Sequence, residues 1–93
     1  MNIAVTTQNA ADALDISRTA RDDRKTYWIA LANSASHAVQ LINRLGATEA
    51  TSELDMRMRD YLAKAEAARE RGDVEADAYN RGKFAGYHMA LTD

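Results

Sequence analysis

Four small residues near the end of the chain, Ala78, Gly82, Gly86 and Ala90, stand four positions apart. In an α-helix that spacing stacks them on one narrow stripe, where no side chain is larger than a methyl group. An interior glycine costs about 1 kcal/mol of helix propensity relative to alanine. A helix that keeps two of them recovers that loss only where another backbone comes close enough to use the missing side chains. The stripe therefore predicts close helix–helix or subunit packing, and it points to an all-α fold.

The rest of the chain agrees with helix. Its 93 residues include no proline, no cysteine and four glycines, so almost nothing interrupts a helical backbone. This length makes a single domain over 1–93. A chain of this size buries only about two-thirds of the surface its unfolded form exposes, which leaves a thin core. Without cysteine there is no disulfide, thiolate nucleophile or cysteine metal site, and a reducing cytoplasm is the expected location. The formal net charge of −2 argues against a chain built around a nucleic-acid or membrane field. Met1 to Ala13 has neither the basic start nor the apolar run of a signal peptide.

Punctuation and periodicity predict three to four helices. The first covers about 9–21, capped by Thr7 or Asn9, with Ala10, Ala13, Leu14, Ile16 and Ala20 as its apolar side. The second, central helix covers about 24–45, where Trp28, Leu31, Ala35, Ala38, Val39, Ile42 and Leu45 recur at helical steps and Gly46 ends the run. These two are either one long helix or, as favoured here, two with a bend at which Asp22 or Asp23 caps the second. The third covers about 51–71, with Leu54, Met58, Tyr61, Leu62, Ala65 and Ala68 inward and the pairs Glu53–Arg57, Asp55–Arg59 and Asp60–Lys64 outward. The fourth covers about 74–91. Arg71-Gly72-Asp73 reads as a glycine C-cap followed by an aspartate N-cap, not as an adhesion motif. Helices 51–71 and 74–91 should then form an antiparallel hairpin.

From Thr26 to Asn43 the central helix carries no Asp, Glu, Lys or Arg. Its asparagines, serines, glutamine and histidine make membrane insertion costly. A neutral polar face at Asn33, Ser36, His37 and Gln40 is instead what a covered helix or subunit contact shows, because charge is depleted at interface cores. One hairpin cannot easily satisfy both this face and the small stripe. At least one of them is expected between subunits, which predicts a homo-oligomer and most simply a homodimer.

Catalytic chemistry is poorly supplied. Neither His37 nor His88 has a second His, Asp or Glu at i±3 or i±4, so no single-helix metal pair exists. Ser34 lies within reach of His37, but no orienting carboxylate or glycine elbow accompanies them. No phosphate loop is present. The expectation is a non-enzymatic chain with no cofactor and no metal. Specific DNA binding is not expected either, since the helix after the best turn opens with Asp73, Glu75 and Asp77, an acidic first turn that would meet phosphates.

Three functions remain to be weighed. The carboxylates Glu49, Glu53, Asp55, Asp60, Glu66, Glu70, Glu75 and Asp77 could face the lysines and arginines of a protein partner, or simply be a solvated surface. Arg21, Arg24, Lys25 and Trp28 could instead grip a nucleotide or other small ligand by charge and stacking, although Asp22 and Asp23 cancel much of that field. Finally, the chain could be a structural protein whose role is oligomerisation itself.

Between Ala65 and Leu91 an Ala/Glu/Arg-rich helix, a Gly-Asp corner and an Arg-Gly-x-x-x-Gly-Tyr helix follow one another. The residues are Ala67, Arg69, Arg71, Gly72, Asp73, Tyr79, Arg81, Gly82, Gly86, Tyr87 and Leu91. This stretch, under a third of the chain, resembles the tails of small helical accessory proteins of tailed bacteriophages. The resemblance implies a phage early protein that disables a host machine by binding it in the bacterial cytoplasm, anti-CRISPR inhibitors being one such group. That group shares no common fold or motif, so no functional residue carries over.

Overall fold

In the computed structural model, which describes residues 1–93, four helices account for nearly the whole chain and no strand is present. They are α1 (Ile3–Thr19), α2 (Asp22–Leu45), α3 (Ala47–Glu70) and α4 (Val74–Thr92). The all-α architecture and the α3/α4 hairpin follow the sequence expectation, and several boundaries move. The first helix starts six residues earlier than residue 9, because Asn2 and not Thr7 or Asn9 accepts the first-turn amide, from Val5 N at 3.0 Å. The third helix starts at Ala47 instead of Thr51, so Gly46 alone separates two long helices. Its φ of +82° is a backbone state that glycine adopts without the Cβ penalty. That freedom lets the chain reverse in one residue.

The first two segments are separate helices. The break falls at Ala20–Arg21, and neither aspartate caps α2: Arg21 holds the cap position without a side-chain hydrogen bond, and Asp22 sits at φ +54°. Aspartate is among the few L-residues that visit this left-handed region. The corner between α3 and α4 behaves as its sequence predicts. Gly72 has φ +75°, Asp73 N closes back onto Ala68 O at 2.9 Å, and the Asp73 carboxylate accepts from Ala76 N at 3.0 Å. Arg-Gly-Asp is therefore spent on a helix corner.

Helix α2 is the central element and packs on the other three, whereas α1 does not touch α3. Two reversals, at Gly46 and at Gly72, leave α2 and α4 parallel. Most of the buried apolar residues are alanine, with Leu31, Leu41, Ile42, Leu54 and Tyr87 as the large exceptions. Leu41 and Leu54 are 1% and 0% exposed, and full burial of such a side chain stabilises by about 1.5–3 kcal/mol. The total accessible surface is 5521 Å², close to the roughly 5,400 Å² that size scaling gives a folded monomer of this mass. One chain thus buries the share of surface normal for its length, and the thin core by itself does not call for a second subunit.

Candidate functional site

The small stripe lies inside the chain. Gly82 and Gly86 face α2 so closely that an added Cβ would collide with backbone. At Gly82 it would strike the Tyr27 carbonyl and sit 2.8 Å from Ala30 Cβ. At Gly86 it would overlap the Ser34 hydroxyl and the Leu31 carbonyl and come within 2.9 Å of Ala35 N. The partner stripe on α2 is Ala30, Ser34 and Ala38, again four apart and all buried. Ala90 is also buried, while Ala78 at the open end is half-buried. Ser34 therefore belongs to the seam: its hydroxyl donates to Leu31 O at 3.1 Å and leans on Gly82 O at 3.5 Å. It makes no bond to His37. Of the two alternatives for the stripe, a helix of this chain or a second subunit, the fold takes the first, since the parallel α2–α4 pair already fills it.

What stays open is different. Asn33, Ser36 and Gln40 are exposed and His37 is half-buried. The neutral face of α2 therefore has solvent, not another helix of this chain, over three of its four members. Helix α1 adds a second open surface. It buries Thr6, Ala10, Ala13 and Ser17 and leaves its large aliphatic side chains outside. Leu14 and Ile16, expected in the core, are each 43% exposed, as is Val5, and Ile3 is 37% exposed. The reason is geometric. The surface of α2 beneath α1 offers Ala32 and Leu31 around Ala13, and only small residues let the two helices approach. The bulky ones are displaced to the shoulders.

The candidate acidic residues do not form one face. Glu53 pairs with Arg57 at 2.9 Å, Asp60 with Lys64 at 2.9 Å and Asp77 with Arg81 at 3.0 Å. Glu75 accepts from the Thr26 hydroxyl at 2.7 Å, tying α4 to α2. Glu66 and Glu70 are exposed and have no ion pair. At 100° per residue Glu66 lies roughly 120–140° around α3 from Glu53 and Asp60 and Glu70 roughly 80–100°, so the four do not share one side. Surface pairs of this kind contribute little to stability, typically up to about 1 kcal/mol each, and they cancel the field that a docking patch needs.

The basic-aromatic patch is half assembled. Arg24 and Trp28 line a groove of about 240 Å³ between the first turns of α2 and α4, together with Asp23, Tyr27, Val74, Asp77, Ala78 and Arg81. Arg21 and Lys25 are exposed and outside it. Tyr27 and Trp28 meet edge-to-face, with centroids 5.2 Å apart. Two arginines and two aspartates make the lining neutral, so the groove holds aromatic surface with both donors and acceptors. Its volume is below the roughly 300–1,000 Å³ usual for drug-sized ligands.

A fourth place was not legible in the sequence. The Tyr87 hydroxyl on α4 and His37 Nδ1 on α2 are 2.7 Å apart, and the Tyr87 ring stacks on Tyr61 of α3 with centroids 5.9 Å apart. Burial pushes the Tyr87 phenol above its ordinary pKa, and the neighbouring Arg57 opposes that shift. Burial also holds His37 below its ordinary value, with Arg57, Lys83 and Arg44 adding to the effect and Glu53 opposing it. These residues come from three helices, so no local spacing announces them. Compared with protein-family models, curated proteins and solved structures, the chain matches none.

Proposed function

We propose that this chain is a non-enzymatic interaction protein that acts by covering a surface of a protein partner. The observation that carries this reading is α1. It buries only small residues and presents Ile3, Val5, Leu14 and Ile16 to solvent, next to a central helix whose open face is uncharged. Large aliphatic side chains and neutral polar groups are the materials of an interface core. The resemblance of residues 65–91 to phage accessory proteins supports a host defence complex of anti-CRISPR type as the partner. In the absence of that partner, a second copy covers the same surfaces. Expression in a bacterium with active CRISPR interference tests the reading. Wild-type protein should relieve interference against a targeted phage and co-purify stoichiometrically with the effector complex. A Leu14→Glu/Ile16→Glu variant, helical by circular dichroism, should do neither. Intact interference with no stoichiometric complex refutes the host-complex reading.

The groove favours a second reading, a small planar ligand held by Trp28 and Arg24. Trp28 is the only tryptophan, so its fluorescence reports binding directly. Saturable quenching by a nucleotide, lost in Arg24→Ala, supports that reading. Quenching that is linear in nucleotide and unchanged in the variant rejects it.

A further inference from the structure

The groove between the first turns of α2 and α4 carries an uneven set of charges. Two carboxylates and two guanidinium groups line it, but only one of each is spoken for. Asp77 and Arg81, four apart on α4, hold each other at 3.0 Å. Asp23 and Arg24 on α2 take part in no ion pair. They do not pair with each other, because adjacent residues on a helix point about 100° apart. One negative and one positive group therefore stand exposed in the same groove, each without a partner in the chain. The aromatic part of the lining, Tyr27 and Trp28, is half-buried, and the two rings meet at 85°. Perpendicular rings form a corner. A third flat ring placed there lies face-on to one and edge-on to the other, the two arrangements that aromatic pairs prefer.

We propose, building on the reading of the groove as a small-ligand site, that its ligand is a free aromatic amino acid. The α-carboxylate takes Arg24 and the α-ammonium takes Asp23, both as charge-assisted hydrogen bonds, while the ring enters the Tyr27–Trp28 corner. A ligand with one charge of each sign satisfies both unpaired groups and leaves the Asp77–Arg81 pair intact. A nucleotide brings only negative charge, so it satisfies Arg24 and is repelled by the Asp23 carboxylate. Size favours the same choice. A volume of about 240 Å³ falls short of the roughly 300–1,000 Å³ usual for drug-sized ligands, and a single amino acid is smaller than a nucleotide.

Phenylalanine is the probe, because its own emission does not overlap that of the single indole, Trp28. Its titration, followed by Trp28 fluorescence, is set beside three others: hydrocinnamate, which lacks the ammonium, phenethylamine, which lacks the carboxylate, and adenosine monophosphate. Phenylalanine should change the emission saturably, and each of the other three should bind roughly three- to fivefold more weakly, the scale of one exposed ion pair. Two variants cross the comparison. Asp23→Asn should weaken phenylalanine and leave hydrocinnamate at least as tight as in the wild type. Arg24→Gln should weaken phenylalanine and leave phenethylamine at least as tight. Both residues are exposed, so circular dichroism should be unaltered in each variant. Equal affinity for phenylalanine and its two analogues, or loss of all three in either variant, would overturn the assignment. Saturable binding of adenosine monophosphate beside a merely linear response to phenylalanine overturns it as well, but leaves the small-ligand reading standing. Linear responses to all four ligands remove both.

Discussion

Replacing Gly86 with alanine sets two physical effects against each other with opposite signs. Helix propensity alone predicts stabilisation by about 1 kcal/mol, and a buried methyl adds up to about 0.8 kcal/mol if it fits. It does not fit. The new Cβ would overlap the Ser34 hydroxyl and the Leu31 carbonyl and crowd Ala35 N at 2.9 Å. The hydroxyl can rotate away, but the carbonyl and the amide are helix backbone, so relief requires α4 to move off α2. A separation of even 0.5–1 Å forfeits roughly a quarter to a half of each dispersion contact along the seam. It also lengthens the Ser34 contact to Gly82 O, already 3.5 Å. Overpacking of this kind costs about 1–3 kcal/mol. With rigid backbone as the obstacle, a net loss near the upper end, about 2–3 kcal/mol, is expected despite the propensity gain. For a domain of this size that lowers Tm by roughly 10–20 °C. Urea unfolding followed by circular dichroism at 222 nm measures it, with the slope m unchanged if the native seam alone is affected. Gly86→Leu should be worse, and Ala78→Gly, at the open end of the stripe, should cost only about 1 kcal/mol. A Gly86→Ala protein as stable as wild type, or more so, would refute the close-contact account of the stripe.

The pH dependence follows from His37, whose pKa is held below the ordinary 6.5 chiefly by burial and then by Arg57. The unfolded chain binds a proton there first, so this contribution to stability is fully present above pH 6.5 and is lost as pH falls through the lower folded value. His37→Gln should flatten the urea midpoint over that interval, and an unchanged slope would count against the assignment. Asp93 accepts from the Thr6 hydroxyl at 2.8 Å and from Asn9 at 3.4 Å, fastening α1 to the end of α4. Asp93→Ala leaves the Thr6 hydroxyl, 1% exposed, without its partner, at a cost of about 1–3 kcal/mol. Hydrogen exchange should quicken in α1 before α3, and uniform acceleration would reject the clasp. Sedimentation equilibrium at micromolar concentration should show a dimer that Leu14→Glu/Ile16→Glu dissociates, whereas a 10.3 kDa monomer throughout a hundredfold dilution would exclude self-association through α1.

The chain determined its helices by local chemistry. Gly72 and Asp73 wrote their corner in two adjacent residues, and the pairs Glu53–Arg57, Asp55–Arg59 and Asp60–Lys64 formed at 2.9 Å each, as four-residue spacing requires. The small stripe announced a close contact for the same reason: a glycine pair in a helix has a propensity cost that only packing offsets. Its partner was not legible, although Ala30, Ser34 and Ala38 carry the same spacing on α2, because a stripe specifies how near a neighbour comes and not which neighbour it is. Tertiary structure made that choice through the two corners, at Gly46 and Gly72, that set α2 and α4 parallel. It also reversed the inward assignment of Leu14 and Ile16, since α1 approaches the Leu31–Ala32 surface of α2 by its small side, Thr6, Ala10, Ala13 and Ser17. The meeting of His37, Tyr61 and Tyr87 belongs wholly to the third dimension. Each is an ordinary residue on its own helix, and only the packing of three helices brings their rings together.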